Sequence, residues 1–143
     1  MSQHLLRVAR PVVEFEGLIA AARHQGERVG WLELPPASPA SAPAPGPLPA
    51  SLAAAAGCGV LRAVAVAGGR SVAVKPMRGE PVLRDVLREH FRGCRLVLVT
   101  GEVDAPWLEP SGEAWTLRSG DRPAARWTTE RLIAALRKPR PWD

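Results

Sequence analysis

The sequence has few of the residues on which metal binding and redox chemistry usually depend. Its two cysteines, Cys58 and Cys94, are isolated and form no CxxC pair. In a chain without an export signal such cysteines are expected to be reduced and buried. His90 and Cys94 are four residues apart, but Gly93 is expected to end the helix between them, and no further ligands are evident. We therefore predict neither a metal nor a cofactor.

Long apolar runs and catalytic motifs are also missing. No stretch approaches the roughly 18 apolar residues of a membrane span, and charged residues interrupt any signal-peptide core within residues 1–18. We expect a cytoplasmic location and no membrane partner. The GxSxG, Walker and dinucleotide-binding spacings are absent as well. The sequence does not decide whether the protein is an enzyme, although the missing motifs favour a protein without enzymatic activity.

Tyrosine is absent, so five tryptophans dominate the aromatic surface. Trp115 and Trp127 lie in two predicted strands, Ala114–Arg118 and Pro123–Thr128, and would face each other if the turn between them centres on Asp121. Arginines lie beside them at Arg118, Arg122 and Arg126. Base stacking on these indoles is one interpretation, but the alternation of apolar residues favours a core-facing side.

The stretch Val60–Thr100 contains the most readable structure. Two runs of valine and alanine flank Gly68-Gly69, and paired glycines are typical of a tight hairpin turn. Both faces of these strands are small or apolar, which predicts strands that are covered on both sides. An amphipathic helix over Val82–Arg92 and a buried central strand at Leu96–Val99 follow, and the helix is expected to cross over one sheet face.

The remaining pattern predicts the overall fold class. A helix at Pro11–Gln25, a strand at Val29–Leu34 and a last helix capped by Thr128 or Thr129 complete the elements. We predict a single small α/β or α+β domain over residues 1–143, with a mixed sheet of about five to six strands and about two to three helices. A segment rich in proline and alanine at 35–57 is expected to be a linker or loop. The basic tail at 137–143 is expected to be loose.

All of the net charge of +5 falls within residues 60–95, which contain eight basic and three acidic residues. A localised basic face is typical of a protein that binds polyanions. The candidate binding residues, for nucleic acid or a protein partner, are Arg70, Arg78, Arg84, Arg88, Arg92 and Arg95. Helical spacing also pairs several of these arginines with carboxylates, so a solvated helix face is the plainer interpretation.

Three functions are compatible with these observations. The first is a small basic binding or accessory protein, without enzymatic activity, that docks on a larger and acidic protein partner or forms a homo-oligomer. The second is a nucleic-acid-binding module that uses the arginine ridge Arg84, Arg88, Arg92 and Arg95. The third is a small metal-dependent nuclease or hydrolase, which would need the strand-end residues Glu33, Lys75, Glu102 and Asp104 to meet. We favour the first.

Overall fold

Strands from distant parts of the chain lie side by side in the main sheet. The computed structural model describes residues 3–34, 50–58, 60–75, 77 and 79–143. In chain order the elements are β1 (His4–Arg7), a 3-10 helix (Val12–Phe15), α1 (Glu16–His24), β2 (Val29–Glu33), α2 (Ala50–Gly57), β3 (Ala63–Ala67), β4 (Arg70–Val74), α3 (Leu83–His90), β5 (Leu96–Thr100), β6 (Trp107–Ser111), β7 (Ala114–Arg118), β8 (Ala125–Trp127) and α4 (Thr129–Ala135).

Contacts divide the chain into two compact units. Met1–Ala44 and Phe91–Asp143 form one, which we name the sheet unit, and Pro45–His90 form the other, the hairpin unit. The fold class is confirmed: the described residues form a small α+β domain with a mixed six-stranded sheet, a two-stranded sheet and four α-helices. The structure thus has one helix more than the two to three that were predicted. The segment 35–57 was predicted to be a linker or loop, but its last part forms α2, and residues 35–49 lie outside the described residues.

The six-stranded sheet has the order β2-β5-β1-β6-β7-β8. Strands β2, β5 and β1 are parallel, with His4 opposite Leu96 and Val29 opposite the same leucine on the other side. A single parallel pair, Arg7 with Trp107, joins β1 to β6. From β6 onward the sheet is antiparallel. The sheet is therefore mixed, as predicted, although β1 and β6 were not foreseen as strands.

Strand β5 is an interior strand of the main sheet, between β2 and β1. Leu96, Val97, Leu98 and Val99 are each no more than 1% exposed, which confirms the predicted central strand. An uninterrupted apolar run forms such a strand because both of its faces must be covered. Gly30 on the neighbouring β2 makes close packing possible, since a Cβ there would come within 2.3 Å of a ring carbon of Phe91.

One face of this sheet packs against α1 and α4. The core contains Leu6, Val8, Phe15, Leu18, Ala22, Leu96, Leu98, Leu108, Trp115, Leu117, Trp127, Leu132, Ile133, Ala135 and Leu136. Phe15 stacks on Trp115 with ring centroids 5.5 Å apart. Helix α4 begins at the predicted place, where the Thr128 hydroxyl accepts a hydrogen bond from the Arg131 backbone N–H at 3.2 Å. The predicted pairing of Trp115 with Trp127 is confirmed.

The hairpin unit corrects two predictions. Strands β3 and β4 pair antiparallel around Gly68-Gly69, as the turn predicts, but they form a separate sheet instead of joining the main one. Most of their residues are exposed, so the expectation that both faces are covered is wrong. Alternating valine and alanine favour a strand, but they do not supply the second layer that would bury it.

Three further details differ from the sequence interpretation. Helix α3 ends at His90, two residues before the predicted end. The strands before and after it, β4 and β5, belong to different sheets, so α3 is not the predicted crossover between strands of one sheet. The C-terminal tail was expected to be loose, yet Pro141 is buried and Trp142 lies 6.0 Å from Trp127 between ring centroids.

Within the described residues no helix is long and apolar enough to cross a membrane.

Candidate interaction surface

One face of the β3–β4 hairpin is apolar and open to solvent. Strand alternation and register place Val64 and Val66 of β3 on the same side as Ala73 and Ser71 of β4. We name these four residues the valine face. Val64 is 54% exposed and Val66 is 76% exposed. Two neighbouring β-branched side chains exposed to this degree are unusual on a strand, because strands normally turn such residues towards a core.

The opposite side of the hairpin is better covered. It carries Ala63, which is buried, and Val74, which is half-buried. Helix α2 packs against both strands, and its Leu52 is buried as well. This apolar layer covers only the end of the hairpin at Ala63 and Val74, since Val72 on the same side is 45% exposed. All four residues of the valine face are exposed.

Exposed apolar residues concentrate in the hairpin unit. Of the nine large hydrophobic residues that are exposed among the described ones, seven lie between residues 60 and 82. They are Val60, Leu61, Val64, Val66, Val72, Met77 and Val82. Singly exposed apolar residues need no explanation, whereas clustered ones mark interaction sites. The sheet unit, by contrast, exposes only Val12 and Val13 within the described residues.

The hairpin unit carries the larger share of the net charge, with six basic and three acidic residues in 45–90 against thirteen basic and eleven acidic residues in the longer sheet unit. Glu89 binds Lys75 and lies 3.5 Å from the Arg62 guanidinium, and the hydrogen bond from Lys75 is the main cause that lowers the pKa of Glu89. Asp85 binds Arg88 at 2.9 Å. Two of the three acidic side chains are therefore already neutralised by neighbours in the same unit.

The predicted arginine ridge does not form a continuous row. Arg84 and Arg88 are exposed on α3, but the helix ends at His90, so Arg92 and Arg95 do not continue its face. Arg95 is instead tied to Glu27 at 3.5 Å, where it joins the start of β5 to the turn before β2. The ridge was expected to run through all four arginines, and this expectation is wrong.

The other candidate arginines have separate positions. Arg70 is exposed at the first position of β4, and neither it nor Arg84 has an ion-pair partner among the described residues. Arg78 lies outside the described residues. The hairpin unit therefore keeps exposed, unneutralised guanidinium groups at the hairpin turn and on α3.

The acids that a metal-dependent enzyme would need are not brought together. Within the part of the chain that the structure describes, no group of three or more histidine, cysteine, aspartate or glutamate side chains could hold a metal ion. Glu102 pairs with Arg7 at 3.1 Å, and Glu33 accepts a hydrogen bond from the Trp31 indole at 3.3 Å. Each of these carboxylates has a local partner, so the geometry that the nuclease hypothesis requires is missing from the described residues.

The cysteines do not form an activated nucleophile. Both are free, and burial raises the pKa of the Cys94 thiol, which keeps it protonated and unreactive. Cys58 follows α2 and is exposed, although it was expected to be buried.

The tryptophans that were considered for base stacking belong to the core. Trp115 and Trp127 are 6% and 7% exposed. The Trp115 indole donates to the Thr129 hydroxyl at 2.9 Å, and the Arg131 guanidinium lies 4.0 Å above the Trp127 ring. No ring face of these two residues is free to stack on a base, so the core-facing interpretation is confirmed.

A second arginine–tryptophan contact, between β1 and β6, has no signal in the sequence. The Arg7 guanidinium lies 4.1 Å from the centroid of the Trp107 ring, because β1 and β6 pair at these two residues. Arg118 faces Trp107 from β7. The residues are a hundred positions apart, and neither strand was predicted, so only the strand pairing reveals the contact. Glu102 and Glu109 neutralise the two arginines.

Comparison of the chain with protein-family models, with curated proteins and with solved structures finds no match.

Proposed function

We propose that the protein is a small binding or accessory protein, without enzymatic activity, that docks on an acidic protein partner through its hairpin unit. One observation carries the proposal: the valine face is exposed in the unit that, although the shorter of the two, carries +3 of the net charge of +5. An apolar centre with charged surroundings is the usual anatomy of a protein interface.

The apolar part of this surface supplies affinity. Fully burying a valine side chain contributes about 1.5–3 kcal/mol relative to leaving it in water. Val64 and Val66 already protrude from a paired strand, so little conformational freedom remains to be lost when a partner covers them. A pair of ordered, exposed valines is thus well suited to form the centre of an interface.

Charge in the same unit supplies specificity, although Arg70 lies on the side of the hairpin opposite to the valine face, where it pairs with Ala67. Arg70 and Arg84 are exposed and without ion pairs among the described residues, while Glu89 and Asp85 are engaged. An acidic partner would be attracted by this imbalance, and a basic partner or a second hairpin unit would be repelled. Charge complementarity therefore favours an acidic protein as the occupant.

A photo-crosslinking amino acid placed at Val64 tests the proposal in cells. The matched control is the same amino acid at Val13, which is 60% exposed in the sheet unit. We expect an adduct with one acidic protein at Val64, its loss when Val66→Asp is added, and no such adduct from Val13. The purified pair should then bind less tightly as salt increases. Absence of an adduct at Val64, or an adduct with a second copy of the chain, would contradict docking on an acidic partner.

Nucleic acid is the competing occupant. A binding measurement distinguishes nucleic acid from an acidic protein as the occupant. Wild type and the triple variant Arg84→Ala, Arg88→Ala and Arg92→Ala are titrated with a mixed pool of single- and double-stranded nucleic acid across a salt series. Each phosphate contact that is lost should reduce the slope of log affinity against log salt by about 0.7–0.9. We expect the slope of log affinity against log salt to be shallow for wild type and unchanged in the triple variant. A slope that the triple variant removes would assign these arginines to nucleic acid and overturn the proposal.

A further inference from the structure

Strand β3 has an open backbone edge. Strands β3 and β4 pair only with each other, and no backbone hydrogen bond within the described residues links either strand to anything outside the hairpin. With respect to the part of the chain that the structure describes, each strand therefore presents a row of unpaired N–H and C=O groups along its outer side. Such a row is a template for another extended chain.

The two edges differ in how they are protected. Proteins usually block an edge strand with a lysine, a proline, an inward-pointing charge or a bulge. Strand β4 has Arg70 at its start and is followed by Lys75-Pro76. Strand β3 reads Ala-Val-Ala-Val-Ala, pairs in continuous register over five residues and contains none of these devices. The unprotected edge of the hairpin is that of β3.

We propose that the β3 edge binds an extended segment of the acidic partner as a third strand. The inference rests on the proposed function and adds to it the mode of recognition, in which main-chain hydrogen bonds give affinity and alternate side chains give specificity. A two-stranded hairpin is only marginally stable as a sheet, and a third strand stabilises it. The partner thus completes a sheet that the hairpin unit leaves unfinished.

Side-chain alternation defines the segment that fits. Arg62, Val64 and Val66 point to the same side of the β3 line, and all three are exposed. An antiparallel segment should place β-branched apolar residues opposite the two valines and an acidic residue opposite Arg62. Its pattern is apolar-x-apolar-x-acidic. Arg62 shares the Glu89 carboxylate with Lys75, which binds it at the shorter distance, so the exposed Arg62 guanidinium can pair with a second carboxylate.

A second copy of the chain is the alternative occupant, since Ala-Val-Ala-Val-Ala reads the same in both directions and could pair with itself antiparallel. That pairing would bring together two hairpin units, each with six basic and three acidic residues. Like charges at close range oppose it. An acidic segment has no such repulsion, and it is the occupant that the charge distribution favours.

The experiment uses the full-length protein and the acetylated, amidated peptide Thr-Val-Thr-Val-Thr-Glu-Thr as a probe, with binding measured by calorimetry. Two further peptides carry N-methyl groups on alternate residues, one on the odd and one on the even positions. In a β-strand these amides point to opposite sides. Only one of the two methylated peptides can therefore lose the hydrogen bonds to β3.

We expect one methylated peptide to bind like the parent and the other to lose about fivefold in affinity per blocked hydrogen bond. Replacing glutamate by lysine in the peptide should weaken binding and reverse its salt dependence. On the protein, Val66→Asp should abolish binding, while Val13→Asp, an equally drastic change at an exposed valine of the sheet unit, should not. Circular dichroism confirms that each variant is folded.

Equal binding of both methylated peptides, or no binding of the parent at millimolar concentration, would overturn strand addition. If the crosslinker at Val64 still captured an acidic protein, the proposed function would stand and the partner would bind through side chains alone. Light scattering provides the last check: a dimer that Val66→Asp dissociates would identify a second copy as the occupant and overturn the inference.

Discussion

Valines of the sheet unit and of the hairpin unit lie in strands of the same length and have opposite environments. Val97 and Val99 of β5 are fully buried, whereas Val64 and Val66 of β3 are more than half exposed. Within the described residues strand β5 has a hydrogen-bonded neighbour on each side, and β3 has one. The burial of a strand is thus decided by its neighbours and by the layer above it, and its own composition decides much less.

The largest difference between the units should appear when a side chain is truncated. Leu98→Ala removes a fully buried side chain from the centre of the sheet unit, and the cavity that remains should lower the free energy of unfolding by about 2–5 kcal/mol. Val66→Ala in the hairpin should change it by no more than about 0.5 kcal/mol. Urea denaturation of both variants measures the difference, and equal losses would contradict the contrast between the units.

Added volume should also be costly in the sheet unit. Gly30→Ala places a methyl group against the Phe91 ring, which must move, and overpacking of this kind costs about 1–3 kcal/mol. Phe91→Leu should recover part of the loss in a double-mutant cycle. Gly17→Ala is the control, because a Cβ there meets no atom within 4 Å. Additive effects of Gly30→Ala and Phe91→Leu would show that the ring is not the obstacle.

Helix capping distinguishes the units on a smaller scale. The hydroxyl of Thr128 caps α4, so Thr128→Ala should lower stability by about 1 kcal/mol. Thr128→Ser keeps the acceptor and serves as the control. In the hairpin unit α3 follows Val82, whose side chain has no acceptor, and Val82→Ser should slow amide exchange within α3. Faster or unchanged exchange would mean that the backbone N–H groups of the first turn of α3 already have hydrogen-bond acceptors.

The smallest effect should be that of pH on the free energy of unfolding of the sheet unit. The His4 ring is buried, with Nε2 3.1 Å from the Leu136 carbonyl oxygen and Trp142 beside it. Burial is the main cause that lowers the pKa of His4 below 6.5; Arg95 adds to this, and the hydrogen bond to Leu136 partly opposes it.

Because the unfolded chain binds this proton more readily, the contribution of His4 to stability is complete above pH 6.5 and is lost as pH falls through the lower folded-state pKa. Denaturation in a series of buffers from neutral to mildly acidic pH should show this decline. His4→Gln should flatten it, whereas replacement of the exposed His24 by glutamine should not. An unchanged slope in His4→Gln would assign the decline to other groups.

Local signals predicted much of the fold correctly. The Gly68-Gly69 turn fixed the β3–β4 hairpin, the turn after Arg118 fixed the pairing of Trp115 with Trp127, and Thr128 marked the start of α4. Each of these depends on a few neighbouring residues whose backbone preferences are strong. The continuous apolar run of β5 likewise identified a central strand.

Long-range relations were not predictable in the same way. Strand β1 has four residues without a β-branched side chain, and β6 contains Pro110, so neither carries a clear strand signal. The arginine ridge failed because α3 ends two residues earlier than helical spacing suggested. The valine face was missed because an alternating pattern does not reveal whether a second layer exists to cover it.

The pairing of β1 with β5 has a consequence for biosynthesis. His4 lies opposite Leu96, so the first strand of the sheet unit cannot pair until the ribosome has released most of the chain. Until then the apolar sides of β1 and α1 have no sheet to cover them. The β3–β4 hairpin closes over two residues and can form as soon as it emerges. The hairpin unit should therefore be the first part of the nascent chain to fold.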